Sequence, residues 1–253
     1  MINKSMEKAF VINTSDNAEI HGFLHSSSNQ SRPMVVLVHG LTGHMDEYIH
    51  VRLARLLCKE GFSVIRFNQY GDEPRARRFH DSTIRKHVSD TKDVLAYAIA
   101  EGYSSIVLAG HSLGSPVAIA AVGDSVSGLI LIDPTGRPMD RIKEWQTYDA
   151  EHKISYLDWS RRIILGERWI EDAKSFPDSY LQFASVVCPV QIIAAERADQ
   201  MKYCERYREV HPDHPVIQIV PNATHCFPEE GAAEVLGSVI SKWITSNING
   251  SRS

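Results

Sequence analysis

The segment Gly110-His111-Ser112-Leu113-Gly114 constrains the fold of this chain more than any other. It follows an apolar run, Ile106 to Ala109, and precedes a stretch with the composition of a helix. Glycines two residues before and two after a serine are typical of the nucleophile elbow, a tight strand-to-helix turn. The turn strains the serine backbone, and side chains at the glycines would collide with the neighbouring strand and helix. The pattern therefore predicts that the Ser112 hydroxyl is exposed at the top of a sheet.

Strand-like and helix-like segments alternate along the chain. The strand-like segments are 9–12, 19–24, 33–38, 63–67, 106–109, 128–132, 189–194 and 216–220. The first two predict an antiparallel hairpin at the sheet edge, and all eight together predict a mostly parallel, eight-stranded sheet with helices on both faces. A chain of 253 residues, 43% of them hydrophobic, can bury such a core as a single α/β domain, 1–253.

Residues 137–186 interrupt this alternation, because the segment is about twice as long as a simple crossover connection needs to be. We predict a helical cap insertion that packs over the carboxyl edge of the sheet. The aromatic residues of this segment can attach it to the core or line a pocket, and both roles can hold at once. They are Trp145, Tyr148, Tyr156, Trp159, Trp169, Phe176, Tyr180 and Phe183.

Charge and composition give no support for several classes of partner. The formal net charge of -4 gives no electrostatic reason to expect nucleic acid or an anionic membrane. No apolar run approaches the roughly 20 residues of a membrane span, and residues 1–10 lack a hydrophobic signal region. The four cysteines show no Cys-x-x-Cys spacing, so we expect free thiols and a cytoplasmic protein. The oligomeric state stays open, a homodimer included.

A serine hydroxyl is a weak nucleophile, so Ser112 needs an adjacent base, and the base needs a carboxylate to orient it. The best base is His225, in the loop 221–228 that follows the last strand. Asp199 is the favoured acid, because Ser112, Asp199 and His225 then run in the order nucleophile, acid, base. Asp133, at the end of the strand 128–132, is the alternative acid, and Glu196 is a third option.

Two backbone N–H groups must also face the oxygen on which negative charge develops during acyl transfer. One is the N–H of Leu113, at the start of the helix after Ser112, where the helix dipole favours an anion. The other is predicted to be that of Leu41, in the loop His39-Gly40-Leu41-Thr42-Gly43. We interpret His39 as a structural residue that braces this loop. The remaining histidine clusters show no metal-ligand spacing, so no metal is expected.

Together the His39-Gly40 loop, the Gly110–Gly114 elbow and the histidine loop 222–228 resemble the α/β-hydrolase fold, and within it the serine esterases and lipases. The resemblance extends from Val35 to about Trp243. The loop 40–43 and the small size are similar to bacterial esterases of the feruloyl or cinnamoyl type and to monoacylglycerol lipases. Two segments depart from the pattern of these relatives: 69–74 lacks a Gly-x-Gly-x-Ser turn, and 195–199 places Asp199 one residue further along than is usual.

The resemblance implies a serine hydrolase that cleaves carboxylic esters of small or medium acyl groups through an acyl-enzyme, with no cofactor and a small-molecule ester as its partner. The same acyl-enzyme could also serve a thioesterase or an acyltransferase. A ligand-binding protein without catalytic activity is the alternative from another class, and a broken set of catalytic residues would mark it.

Overall fold

A computed structural model describes residues 6–29, 31–152, 154–159 and 161–248 of the chain. Its strands are β1 (Met6–Asn13), β2 (Glu19–Ser26), β3 (Met34–Val38), β4 (Ser63–Phe67), β5 (Ile106–His111), β6 (Val126–Ile132), β7 (Gln146–Asp149), β8 (Ile154–Trp159), β9 (Arg161–Leu165), β10 (Val190–Ala195) and β11 (Ile217–Val220). Its α-helices are α1 (Tyr48–Lys59), α2 (Ile84–Ala100), α3 (Gly114–Ala121), α4 (Pro138–Trp145), α5 (Glu167–Ser175), α6 (Ser179–Phe183), α7 (Met201–Val210) and α8 (Ala232–Asn247).

Eight of these strands form one large sheet in the order β1-β2-β4-β3-β5-β6-β10-β11. The hairpin β1–β2 is antiparallel and joins β4 in antiparallel register, whereas the pairs from β4 to β11 are parallel. The predicted mostly parallel, eight-stranded sheet with an edge hairpin is therefore confirmed. The strand β5, which leads into the elbow, lies between β3 and β6 near the centre of the sheet.

The core lies on both faces of the sheet, because the central strands are buried on both sides. In β3, all five residues are buried, and alternate side chains point to opposite faces. Val36 joins the core beneath α2 and α3, and Val35 joins the core beneath α1 and α8. Two helical layers therefore fix the central strands firmly, and the carboxyl ends of those strands form a rigid platform.

The segment between β6 and β10 is a mixed insertion and not the wholly helical one that the sequence predicted. Between α4 and α5 it contains a three-stranded antiparallel sheet, β7-β8-β9. Its aromatic side chains have different surroundings: Trp169 and Phe183 are fully buried in the main core, whereas Trp145 is 45% exposed. Short strands rich in tyrosine and isoleucine satisfy their backbone hydrogen bonds within the insertion, which the helical interpretation overlooked.

No helix among the described residues is long and apolar enough to cross a membrane.

Candidate active site

Ser112 occupies a strained turn between β5 and α3, as the glycine pattern predicted. Its φ angle is +54°, in the left-handed region that residues other than glycine rarely adopt. A Cβ atom at Gly110 would lie 2.3 Å from the Gly114 carbonyl oxygen, and one at Gly114 would lie 2.3 Å from the Val38 carbonyl oxygen. Both positions therefore require glycine for close packing, and the turn holds the Ser112 hydroxyl above the strand ends.

His225 contacts the Ser112 hydroxyl from the loop that follows β11. Its Nε2 atom lies 2.9 Å from Ser112 Oγ, and its Nδ1 atom lies 2.5 Å from Asp133 Oδ2. Because an ionised carboxylate can only accept a hydrogen bond, the hydrogen of the neutral imidazole belongs on Nδ1. The lone pair of Nε2 then faces Ser112, so this histidine can accept the hydroxyl proton.

The structure corrects the preferred acid, since the carboxylate that accepts a hydrogen bond from His225 in the described contacts is that of Asp133, the alternative acid. Asp133 follows β6, which lies directly beside the serine strand β5, and it is fully buried. Its second carboxylate oxygen, Oδ1, accepts a hydrogen bond of 3.0 Å from the Ala195 N–H. Asp199 lies in an exposed turn after β10, one strand further from Ser112. Chain order could not separate the two, because both aspartates lie between Ser112 and His225.

Glu196, the third option, supports the histidine loop and does not contact the histidine itself in the described hydrogen bonds. Its Oε2 atom accepts a hydrogen bond of 2.7 Å from the Asn222 N–H. Backbone hydrogen bonds from the N–H groups of Glu196 and Arg197 also reach the segment that leads to His225. The turn after β10 therefore holds the loop in place.

His111, the variable residue inside the elbow motif, also contacts His225. Its Nε2 atom lies 2.8 Å from the His225 carbonyl oxygen, and the two rings are 4.8 Å apart. A carbonyl oxygen only accepts, so His111 Nε2 carries the hydrogen and donates it. Burial lowers the pKa of His111 to about 3, so its ring is neutral at pH 7. No role was predicted for His111 from the sequence, although its place before Ser112 marks it as a neighbour of the site.

The loop after β3 is braced by His39, in agreement with the structural role expected for it. The Gln69 N–H donates to His39 Nε2 over 3.1 Å, so the ring hydrogen lies on Nδ1, 2.9 Å from the Gly40 carbonyl oxygen. Burial lowers the pKa of His39 to about 4 and keeps the ring neutral at pH 7. A Cβ atom at Gly40 would lie 2.9 Å from Ser112 Cβ, so only glycine permits the loop to approach this closely.

The two predicted oxyanion donors, Leu41 and Leu113, line the same cavity as Ser112. Leu113 directly precedes α3 in helical conformation, and Leu41 follows Gly40 in the braced loop. In the described part of the chain, neither N–H donates to another protein group. Both donors are therefore available to a ligand oxygen placed at the mouth of the elbow.

A cavity of about 330 Å³ opens above Ser112. Apolar side chains from α4 form one wall: Pro138, Ile142 and Trp145. This wall begins shortly after Asp133, and the Thr135 N–H donates to the Ser112 carbonyl oxygen over 3.2 Å. The insertion therefore lines part of the cavity. The sequence predicted that its aromatic residues can line a pocket, and Trp145 does so.

Among the described residues, no group of three or more histidine, cysteine, aspartate or glutamate side chains is placed to hold a metal ion.

Comparison with known proteins agrees with this architecture. A sequence model described as "Alpha/beta hydrolase family" matches residues 35–237, so the chain belongs to the α/β hydrolase family. No curated protein sequence matches the chain.

Several solved structures share the fold. Est1E from Butyrivibrio proteoclasticus, solved with ferulic acid, has a TM-score of 0.80 and 19% identity, covering 96% of this chain and 99% of its own. The esterase domain of a Rhodothermus marinus protein has a TM-score of 0.72 and 14% identity, covering 94% and 97%. A dienelactone hydrolase from Anabaena variabilis has a TM-score of 0.70 and 15% identity, covering 96% and 99%.

Proposed function

We propose that this protein is a serine hydrolase that cleaves carboxylic esters of small or medium acyl groups. The single observation that carries the proposal is the hydrogen-bonded series Ser112–His225–Asp133, with contacts of 2.9 Å and 2.5 Å. A ligand-binding protein without catalytic activity would not need this arrangement. Membership of the α/β hydrolase family and the fold shared with esterases such as Est1E support the same conclusion.

In the first half of the proposed reaction, Ser112 Oγ attacks the ester carbonyl carbon while His225 Nε2 removes its proton. Asp133 stabilises the imidazolium that forms and keeps its Nδ1–H in place. The carbonyl π electrons move onto oxygen, where the N–H groups of Leu41 and Leu113 stabilise the negative charge. When the tetrahedral intermediate collapses, His225 gives its proton to the departing alcohol, and the acyl group stays on Ser112.

In the second half, water attacks the acyl-enzyme with His225 again acting as the base, and the acid is released from Ser112. The proton returns to Ser112 Oγ, so the residues end as they began and no cofactor is consumed. The atoms and protons of both steps balance with the ester and one water molecule as the only reactants.

The volume of the cavity supports the proposal that the acyl group is small or medium in size. A volume of about 330 Å³ lies at the small end of the range of small-molecule sites. The apolar wall of Pro138, Ile142 and Trp145 would bury aliphatic or aromatic carbon and contribute about 0.8 kcal/mol for each methylene group. We therefore expect turnover to rise with acyl length until the chain fills the cavity.

Labelling with a fluorophosphonate probe, followed by mass spectrometry of the modified peptide, tests the nucleophile directly. We expect an adduct on Ser112 and none in Ser112→Ala. The same substitution should lower kcat by a factor on the order of 10⁶ against p-nitrophenyl esters. A folded protein that forms no adduct, or a Ser112→Ala variant with near-normal turnover, would overturn the proposal. Matched oxygen esters and thioesters of one acyl group then separate an esterase from a thioesterase.

A further inference from the structure

A carboxylate that the proposed mechanism does not use lies in the wall of the cavity. Glu47 follows the braced loop 40–43 and directly precedes α1. Its side chain forms no capping hydrogen bond with the helix. A Cβ atom at Gly43 would lie 3.0 Å from Glu47 Oε2, so the side chain folds back over the loop towards the cavity. The side chain therefore packs against the loop and does not cap the helix.

In the described part of the chain, no lysine or arginine forms an ion pair with Glu47; burial raises the pKa of its carboxyl, and His44 and His225 partly offset this. Among the described residues its nearest ion-pair candidate is His50, whose Nε2 lies 3.6 Å from Glu47 Oε2. Burial lowers the pKa of His50 well below its usual value, so that ring is neutral at pH 7. No lysine or arginine appears among the described residues that line the cavity. The Glu47 side chain is 39% exposed, and a bound molecule can therefore reach its carboxylate.

Glu47 lies on the His225 side of the cavity, where its carboxylate interacts electrostatically with His225 and Cys226. It lines the cavity together with His225 and Cys226, and its negative charge helps to raise the pKa of the Cys226 thiol. In the proposed reaction His225 protonates the leaving alcohol, so that alcohol must lie next to His225. Cys226, which also lines the cavity, is exposed to solvent. The apolar wall from α4 remains for the acyl group.

We infer that Glu47 is a specificity-determining residue that selects esters whose leaving alcohol carries a positive charge. A half-buried carboxylate attracts a cation more strongly than a carboxylate in bulk water, because the local dielectric constant is lower. It also repels a leaving group that carries a carboxylate. This inference rests on the proposed esterase function and adds the charge of the alcohol to it.

The test compares two esters with the same acyl group and alcohols of the same shape, butyrylcholine and 3,3-dimethylbutyl butyrate. At pH 8 and low ionic strength, we expect the wild type to favour the cationic ester by about five-fold to ten-fold in kcat/KM. In Glu47→Gln the two values should become equal within about two-fold, because kcat/KM for the cationic ester falls to the level of the neutral ester measured with the same variant. Added salt should reduce the wild-type preference and leave the variant unaffected.

Glu60→Gln is the matched control, because it removes the same charge at the far end of α1, where the side chain is exposed and remote from the cavity. It should retain the wild-type preference. Equal turnover of both esters by the wild type, or the same preference in Glu47→Gln, would overturn the inference. Failure of the esterase proposal looks different, since neither ester would then be cleaved and no probe adduct would form on Ser112.

Discussion

Replacing Asp133 with asparagine tests the arrangement around His225 most sharply. Asparagine has the same shape as aspartate, and its oxygen must accept the hydrogen bond from the Ala195 N–H, now 3.0 Å from Asp133 Oδ1. Its NH₂ group then faces His225 Nδ1 and donates to it. The imidazole must accept at Nδ1 and carry its hydrogen on Nε2, where it faces Ser112. The base is therefore held in the wrong tautomer and cannot take the hydroxyl proton.

The expected loss in kcat for Asp133→Asn is on the order of 10⁴, the size seen when a triad base is held in the wrong tautomer. This factor corresponds to about 5 kcal/mol of transition-state stabilisation. Initial rates with p-nitrophenyl butyrate measure it, and the melting temperature shows whether the variant is folded. Asp199→Asn is the matched control and should retain activity within about two-fold. A large loss in Asp199→Asn together with near-normal activity in Asp133→Asn would refute the assignment.

Three further predictions follow from contacts around the site. His111→Leu removes the donor to the His225 carbonyl and should lower kcat about ten-fold with little change in KM, whereas His111→Gln should recover part of the loss; equal kinetics in both variants would contradict a positioning role. Gly114→Ala places a Cβ atom 2.3 Å from the Val38 carbonyl oxygen and should destabilise the fold by about 1–3 kcal/mol, and an unchanged midpoint in urea would speak against this close packing. Burial lowers the pKa of His39 to about 4, and unfolding returns it to about 6.5. The unfolded chain therefore binds the extra proton, and the free energy of unfolding falls as the pH drops from 6.5 towards 4, by about 2 kcal/mol for this histidine at pH 5. Urea unfolding of the wild type and of His39→Asn at pH 8 and pH 5 measures the difference, which a pH-independent midpoint would contradict.

The central sheet and the elbow could be predicted because their signals are local. The apolar run of β3 and the glycines at 110 and 114 are patterns of a few adjacent residues, the first required by burial and the second by close packing. The edge hairpin is local as well, because β1 and β2 are consecutive in the chain and pair with each other. In these cases a few adjacent residues determine the structure, so a single sequence is sufficient.

The third member of the site could not be predicted in this way, because it depends on the order of strands in space. Asp133 and Asp199 both follow strands and both precede His225 in the chain. Only the pairing of β6 with β5 shows that Asp133 lies closer to Ser112. The secondary structure of the insertion could not be predicted from short sequence patterns either. Its strands β7, β8 and β9 are short, and half-exposed aromatic residues fit a helix and a strand equally well.

The direct passage from Asp133 into α4 matters for anyone who wishes to exchange the insertion between homologues. The Thr135 N–H is tied to the Ser112 carbonyl, and the Thr135 carbonyl accepts a hydrogen bond of 3.0 Å from Tyr207, so this short connector belongs to the rigid platform. A chimera joined before Thr135 would alter the apolar wall of the cavity and displace the Asp133 carboxylate at the same time. Joining after Gly136 should allow substrate range to be engineered as a separate module, with the proton-transfer machinery inherited intact.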